Sequence, residues 1–126
     1  MNSRHPDLAA GRWHSMSLME QLGNAGSEVS RALRARGKGQ VDRERSALNR
    51  FLDLIDMTIA DPRLRGRRKE VCRVREIVCD YFVGENVYRS TPESLDRYFM
   101  PYAETARRKA SERSKGRPSA PGTALP

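Results

Sequence analysis

Apolar residues recur along the chain at intervals of three and four positions, which is the spacing of one face of an α-helix. The first segment carries its apolar stripe at five such positions: Leu18, Leu22, Ala25, Val29 and Ala32. Ser17 stands three positions before Glu20, which predicts a capping box at the start of this helix. We predict that Gly37 and Gly39 end it.

Three further segments show the same helical spacing, and no alternating pattern typical of strands competes with it. The second helix is predicted over about residues 42–60. Pro62 suits the first turn of the third helix, where its missing N–H is not needed, and Asp61 is placed to cap that turn. Pro101 lies inside the fourth helix and is predicted to kink or split it.

Four amphipathic helices joined by short connections predict an all-α fold, an up-down-up-down four-helix bundle with a disordered basic C-terminal tail. We predict a flexible N-terminus over residues 1–12, the bundle over residues 13–109 and the disordered basic tail over residues 110–126. The tail holds three prolines, and its only large apolar residue is Leu125, so it lacks the apolar surface that ordering requires.

The charge of the chain is strongly basic. Its 126 residues include 20 Arg and 4 Lys against 16 acidic residues, a formal net charge of +8, of which +5 belongs to residues 107–126. This excess favours a polyanionic partner such as nucleic acid. No apolar run approaches the roughly 20 residues that span a membrane. We therefore expect a soluble, cytoplasmic protein with no membrane partner.

The predicted topology places most of this charge at one end of the bundle. The N-terminus of the first helix, the turn between the second and third helices and the C-terminus of the fourth all lie there. We predict that RNA binds at this basic pole, through the following residues: Arg63, Arg65, Arg67, Arg68, Lys69, Arg107, Arg108, Lys109, Arg113, Lys115 and Arg117. A secondary basic cluster belongs to the opposite, mixed pole: Arg31, Arg34, Arg36 and Lys38.

The sequence shows no combination of residues at the spacing that a catalytic site or a metal site would require. The only histidines are His5 and His14, and neither follows a Glu by three positions, as a di-iron bundle site would need. No catalytic triad, phosphate-binding glycine loop or Cys–His dyad is evident. Cys72 and Cys79 are seven residues apart, about 10 Å along a helix, which is too far for a disulfide. We predict a protein that is not an enzyme and uses no metal or cofactor.

The sequence leaves two interpretations open for a strip of small residues in the first helix and two for Trp13. The small residues Gly23, Gly26 and Ser30 form a strip beside the apolar stripe of the first helix, which indicates either close packing of a neighbouring helix or a surface that a ligand approaches. Trp13 precedes the first helix, where it is either an apolar plug over the bundle end or an aromatic side chain that stacks on a base.

Several sequence segments resemble one bacterial family of four-helix bundles over about residues 13–106. They are residues 13–22 (WHSMSLMEQL), 26–29 (GSEV), 31–32 (RA), 52–61 (LDLIDMTIAD), 75–82 (REIVCDYF) and 98–99 (YF). The Met-Ser-Leu element at residues 16–18 is similar to that of accessory proteins of diversity-generating retroelements. These proteins resemble the accessory variability determinant and the bundle proteins encoded in ribosomal-RNA intervening sequences.

The resemblance implies a small basic bundle that assembles as a homo-oligomer, a pentamer. It also implies that the protein binds a reverse transcriptase and its template RNA and supports mutagenic cDNA synthesis without a catalytic site of its own. Two alternatives stay open. One is a protein-interaction adaptor whose second helix docks a partner through its broad apolar face, and the other is an RNA-associated bundle in a ribosomal context.

Overall fold

Helices occupy the segments that the apolar spacing predicts. The computed structural model describes residues 11–116, and within this range the chain forms helices and no strand. The four long helices are α1 (Leu18–Gly37), α2 (Val41–Ile59), α3 (Arg68–Phe82) and α4 (Pro92–Gly116). A 3₁₀ helix, Pro62–Arg67, joins α2 to α3, and residues 11–14 form a helical turn before α1. The prediction of an all-α helical bundle is confirmed.

The helices run antiparallel to their neighbours along the chain. α1 packs along its length against both α2 and α4. Within residues 11–116, four ion pairs join neighbouring helices: Glu28–Arg50 and Glu44–Arg36 between α1 and α2, Asp56–Arg75 between α2 and α3, and Glu20–Arg113 between α1 and α4. With the short connections, these pairs give the up-down-up-down order, in which the start of α1 lies beside the end of α4.

The core is built from the predicted apolar stripes. Leu22, Val29, Phe51, Ile55 and Val78 are fully or almost fully buried in it. The rings of Phe51 and Phe99 meet edge to face, with centroids 6.2 Å apart, which joins α2 to α4 across the bundle. Within residues 11–116, no helix has both the length and the apolar character that crossing a membrane requires.

Side-chain hydrogen bonds confirm the predicted start of α1 and the cap at Asp61, whereas α3 starts at Arg68 and not at the predicted Pro62, because Pro62–Arg67 forms the separate 3₁₀ helix. Ser17 Oγ accepts from Glu20 N at 3.1 Å, and Glu20 Oε1 accepts from Ser17 N at the same distance, so the capping box is complete. Asp61 Oδ1 accepts from Arg63 N at 2.9 Å and caps the 3₁₀ helix. At the end of α1, Gly39 adopts a φ of 69°, a conformation that favours glycine.

The fourth helix differs from its prediction in two ways. It continues through Pro101 as one helix, so the split that the sequence offered as one of two outcomes is absent. The Pro101 carbonyl accepts a hydrogen bond from Thr105 Oγ1 at 3.1 Å, and Pro101 lies on the exposed face of the helix. The helix also extends to Gly116, beyond the predicted boundary at residue 109. The predicted flexible N-terminus, apart from residues 11 and 12, and the tail from Arg117 onward lie outside the described residues.

Candidate nucleic-acid interface

The three chain segments of the predicted basic pole meet at one end of the bundle. Arg63 Nη2 donates to His14 O at 3.0 Å and to Met16 O at 2.8 Å, which joins the α2–α3 connection to the start of α1. Arg113 Nη2 lies 2.6 Å from Glu20 Oε2, which joins the end of α4 to the same place. The topology argument from the sequence therefore placed these segments correctly.

Asp61 is the centre of a buried polar network at this pole. Only 1% of the residue is exposed, and its carboxylate accepts from the Arg63 guanidinium, from Arg63 N and from Gln21 Nε2. The hydrogen bonds from the Arg63 side chain hold the pKa of the Asp61 carboxyl far below its ordinary value, against the opposing effect of burial. Gln21 also donates to the carbonyls of Trp13 and Met16. The network fixes the segment before α1 onto the α2–α3 connection.

Glu20 has a similar role where α4 ends. Burial raises the pKa of this carboxyl, but the hydrogen bonds from the Arg113 side chain and from Ser17 N outweigh burial, so the pKa is lowered. The carboxylate therefore serves both the capping box of α1 and the contact with α4.

Four arginines of the predicted RNA site have intramolecular partners. Arg63 and Arg113 bind Asp61 and Glu20, as described above. Arg67 donates to Glu70 and to the hydroxyl of Tyr102, the latter at 2.8 Å. Arg68 donates to the carbonyls of Ile59 and Asp61. These four side chains stabilise the end of the bundle, and part of the charge of the pole is therefore balanced within the chain.

The other predicted residues of the pole are exposed and make no side-chain hydrogen bond within residues 11–116. They are Arg65, Lys69, Arg107, Arg108, Lys109 and Lys115. Arg117 lies outside the described residues. The pole thus divides into a structural set of arginines and a set whose charge is available to a partner.

A basic groove runs along the outer side of α3. It has a volume of about 630 Å³ and contains four basic side chains and one carboxylate. Its lining residues are Arg65, Gly66, Arg68, Lys69, Cys72, Arg73 and Glu76. None of the four basic side chains forms an ion pair with a carboxylate of residues 11–116. The groove has the chemistry that binds phosphate groups, since guanidinium and ammonium groups both bind phosphate oxygens.

The secondary basic cluster also divides into paired and unpaired side chains. Arg36 lies over the Tyr81 ring, 5.0 Å from its centroid, and donates to the last carbonyls of α3, so it joins α1 to α3. Arg31 lies 2.7 Å from Glu28. Arg34 and Lys38 are exposed and make no side-chain hydrogen bond within the described range.

Arg34 and Lys38 line a cleft of about 590 Å³ between α1 and α2. Arg43 and Arg50 of α2 line the same cleft, and Asp42 is its single acidic residue. Arg50 Nε donates to Glu28 at 3.0 Å, whereas Arg43 makes no side-chain hydrogen bond in the described part of the chain. Two basic surfaces therefore lie on different sides of the bundle, one along α3 and one between α1 and α2.

The structure decides between the two interpretations of Trp13 and of the small-residue strip. Trp13 is 7% exposed, and its Nε1 donates to Thr58 Oγ1 at 2.9 Å, so the side chain is the apolar plug over the bundle end. A Cβ on Gly23 would clash with the Tyr102 carbonyl, and one on Gly26 would lie 2.6 Å from Phe99. The two glycines of the strip therefore allow close packing of α1 against α4, whereas Ser30 hydrogen-bonds Asp96 at the surface between these helices.

Both cysteines are free thiols in the described part of the chain. Cys72 is exposed in the α3 groove, and Cys79 is half-buried, which raises the pKa of its thiol. Among the described residues, no group of three or more His, Cys, Asp and Glu side chains is arranged to hold a metal ion.

Three basic residues of these surfaces were not among the predicted site residues: Arg43, Arg50 and Arg73. For Arg73 the sequence holds a signal, because Arg65, Lys69 and Arg73 follow each other at intervals of four, the spacing of one helix face. Arg43 belongs to the basic run of the sequence from Arg31 to Arg45, and Arg50 follows it by seven positions, which is also the spacing of one helix face. They join Arg34 only because α2 packs antiparallel to α1.

Comparison with known proteins identifies no relative of this chain. No protein-family model, no curated protein and no solved structure matches this chain.

Proposed function

We propose that this protein is a non-catalytic RNA-binding subunit that associates with a reverse transcriptase and its template RNA and supports mutagenic cDNA synthesis in a diversity-generating retroelement. The observation that carries the RNA-binding part is the α3 groove, in which Arg65, Arg68, Lys69 and Arg73 lie together without a carboxylate partner in residues 11–116. The retroelement part rests on the resemblance of residues 13–106 to the Met-Ser-Leu accessory proteins.

The mode of binding follows from the chemistry of the groove. Arg and Lys neutralise phosphates and release counterions, so affinity falls steeply as salt rises. Arginine suits this role because its planar fork pairs with phosphate oxygens and stacks on bases. RNA in single-stranded or folded form is the proposed ligand, since the sequence shows no evident recognition helix for the DNA major groove.

RNA binding is tested with a double variant of the α3 groove. Arg65→Ala/Arg73→Ala removes two arginines that make no side-chain hydrogen bond in the described range, so the fold is retained. We expect RNA affinity at low salt, measured by fluorescence anisotropy, to fall about five- to thirtyfold. The slope of log affinity against log salt should decrease by about 1.4, since each single-strand phosphate contact contributes about 0.7.

A matched control removes the same charge elsewhere. Arg45 and Arg97 are exposed, line neither basic surface and make no side-chain hydrogen bond within residues 11–116. Arg45→Ala/Arg97→Ala should therefore change the affinity much less. If both double variants lose RNA affinity equally, binding depends on the net charge of the protein and not on the α3 groove. An absence of RNA binding at low salt would refute the proposal.

The partner and the assembly state need separate tests. We expect a reverse transcriptase gene and a template repeat to lie beside the gene of this protein. The protein should co-purify with that reverse transcriptase and form a homo-oligomer. Light scattering at micromolar concentration measures the mass directly, and a monomer would remove the pentamer from the proposal. A gene neighbourhood without a reverse transcriptase would remove the retroelement assignment and leave RNA binding in place.

A second candidate function is a protein-interaction adaptor, and one surface favours it. An apolar groove of about 370 Å³ lies between α3 and α4, lined by Val74, Ile77, Leu95 and Tyr98 among others. A bundle that bound only a protein partner through such a surface would show no salt-dependent RNA binding. The anisotropy experiment therefore separates the two candidates.

A further inference from the structure

A third arginine-lined depression, besides the α3 groove and the α1–α2 cleft, lies between α1 and α4. Its volume is about 390 Å³. α1 contributes Gly26, Ser30 and Arg34, and α4 contributes Phe99 and Met100. α1 and α4 approach closely beneath the groove, where Gly26 packs directly against the Phe99 side chain.

The arginines of this groove come from both helices. Arg34 and Arg107 line it and make no side-chain hydrogen bond within residues 11–116. Gly23 of α1 contacts Ala106 of α4, so Arg107 starts near the level of Gly23. Arg34 lies 11 residues further along α1, which is about 16 Å at 1.5 Å per residue. The two guanidinium groups therefore extend into the groove from opposite ends.

The surface between these arginines combines apolar side chains with the hydroxyl groups of Ser27 and Ser30. Met100 is 54% exposed, and Ala103 lies one turn further along α4 at the edge of the groove. The one carboxylate in the groove, Asp96, accepts a hydrogen bond from Ser30 Oγ at 3.0 Å. A ligand that matches this pattern carries negative charge at two separated points and, between them, a group with an apolar face and hydrogen-bonding edges.

Single-stranded RNA has this chemistry and duplex RNA does not. In a single strand the bases are free to lie on an apolar surface while the phosphates pair with arginines, whereas a duplex turns its bases inward. We propose that the α1–α4 groove binds a single-stranded segment of RNA, with Arg34 and Arg107 on phosphates and a base against Met100. This inference rests on the proposed RNA-binding function and assigns it a second, strand-selective site.

The same strand has a path across α1. Arg34 and Arg31 line the α1–α4 groove and also the cleft between α1 and α2. Lys38 and Arg43 continue the basic surface on the far side of that cleft. The backbone of a strand that leaves the α1–α4 groove over Arg34 would therefore meet further positive charge.

The test compares one labelled RNA strand without self-complementarity, alone and annealed to its complement. Ala103→Leu fills the edge of the groove without changing any charge. We expect it to weaken single-strand binding about fivefold, with an unchanged salt slope and unchanged duplex binding. Ala110→Leu, on an exposed part of α4 outside the groove, is the matched control and should leave both affinities unchanged. Circular dichroism verifies that each variant is folded.

The charge of the groove is tested with Arg34→Ala/Arg107→Ala. We expect the salt slope for the single strand to fall by about 1.4, because two phosphate contacts are lost. If the two groove variants leave single-strand binding unchanged while Arg65→Ala/Arg73→Ala weakens it, the inference is wrong and the proposed function stands. A change in oligomeric mass with Ala103→Leu, at unchanged RNA affinity, would also overturn it. If the wild-type protein binds neither RNA, the proposed function fails first.

Discussion

Asp61 and Arg63, two residues apart in the chain, form an ion pair in which Arg63 Nη2 lies 2.6 Å from the buried Asp61 Oδ2. The same nitrogen donates to the carbonyls of His14 and Met16, so the pair fastens the segment before α1 to the connection between α2 and α3. Gln21 completes the arrangement from α1, with its Nε2 3.1 Å from the same carboxylate oxygen. The predicted RNA-binding Arg63 thus also has a structural function.

Replacing the carboxylate should destabilise this end of the bundle. We expect Asp61→Asn to lower the free energy of unfolding by about 2 kcal/mol, because the charge-assisted hydrogen bonds to Arg63 are lost. Urea unfolding measures the change. Asp53→Asn is the matched control, since Asp53 is exposed and makes no side-chain hydrogen bond within residues 11–116. If both variants are equally stable, the pair does not hold the chain segments together.

Stability should fall in acid. The pKa values of Asp61 and Glu20 are lowered in the folded protein, so these carboxylates stabilise the fold above their unfolded pKa values, about 3.9 and 4.3. As the pH falls below about 4, the unfolded chain takes up protons before the folded chain does, and this stabilisation is lost. We expect the urea midpoint to decrease from neutral pH to about pH 3, and to decrease less in Asp61→Asn. A midpoint with the same pH dependence in both proteins would contradict the assignment to Asp61.

A methyl group at Gly26 should separate α1 from α4. The new Cβ would lie 2.6 Å from Phe99, so one of the helices has to move. We expect Gly26→Ala to lower the free energy of unfolding by about 2 kcal/mol, the overpacking cost exceeding the gain in helix propensity. Gly37→Ala places its methyl in open space and should leave stability unchanged or slightly raised. Thermal unfolding of the two variants gives the comparison, and a stable Gly26→Ala would mean that the close approach is not required.

Arg36 and Arg34 should respond differently to the same substitution, although both belong to the secondary basic cluster. Arg36 lies over the Tyr81 ring and donates to two carbonyls at the end of α3, so Arg36→Ala should cost about 1 kcal/mol of stability. Arg34→Ala should change stability by less than about 0.5 kcal/mol, because Arg34 is exposed without an intramolecular hydrogen bond in the described residues. Urea unfolding of both variants checks this, and equal losses would refute the division of the cluster.

The local features of the fold were predictable from the sequence because they depend on residues that are close in the chain. The stripe from Leu18 to Ala32, the capping box of Ser17 with Glu20 and the cap at Asp61 all follow from spacing, and all are present. The basic pole was predictable as well, since four antiparallel helices with short connections leave little choice of which ends meet. The continuous course of α4 through Pro101 was not predictable from the sequence. The rule that proline interrupts a helix considers only residues that are close in the chain, and it takes no account of whether the proline is exposed.

The division of the arginines into structural and available side chains was decided by the tertiary structure alone. The sequence determined that the chain has 24 basic and 16 acidic residues and that the basic residues occur in clusters along the chain. It did not determine that Glu20 meets Arg113, 93 residues away, or that Arg34 shares one groove with Arg107 and one cleft with Arg43. Such contacts depend on the register in which helices pack, and register is set by side-chain shape across an interface, as at Gly26 and Phe99. The composition of the chain fixes its total charge. The charge that is available to a partner is carried by the basic side chains that are left without an intramolecular partner once the helices have packed.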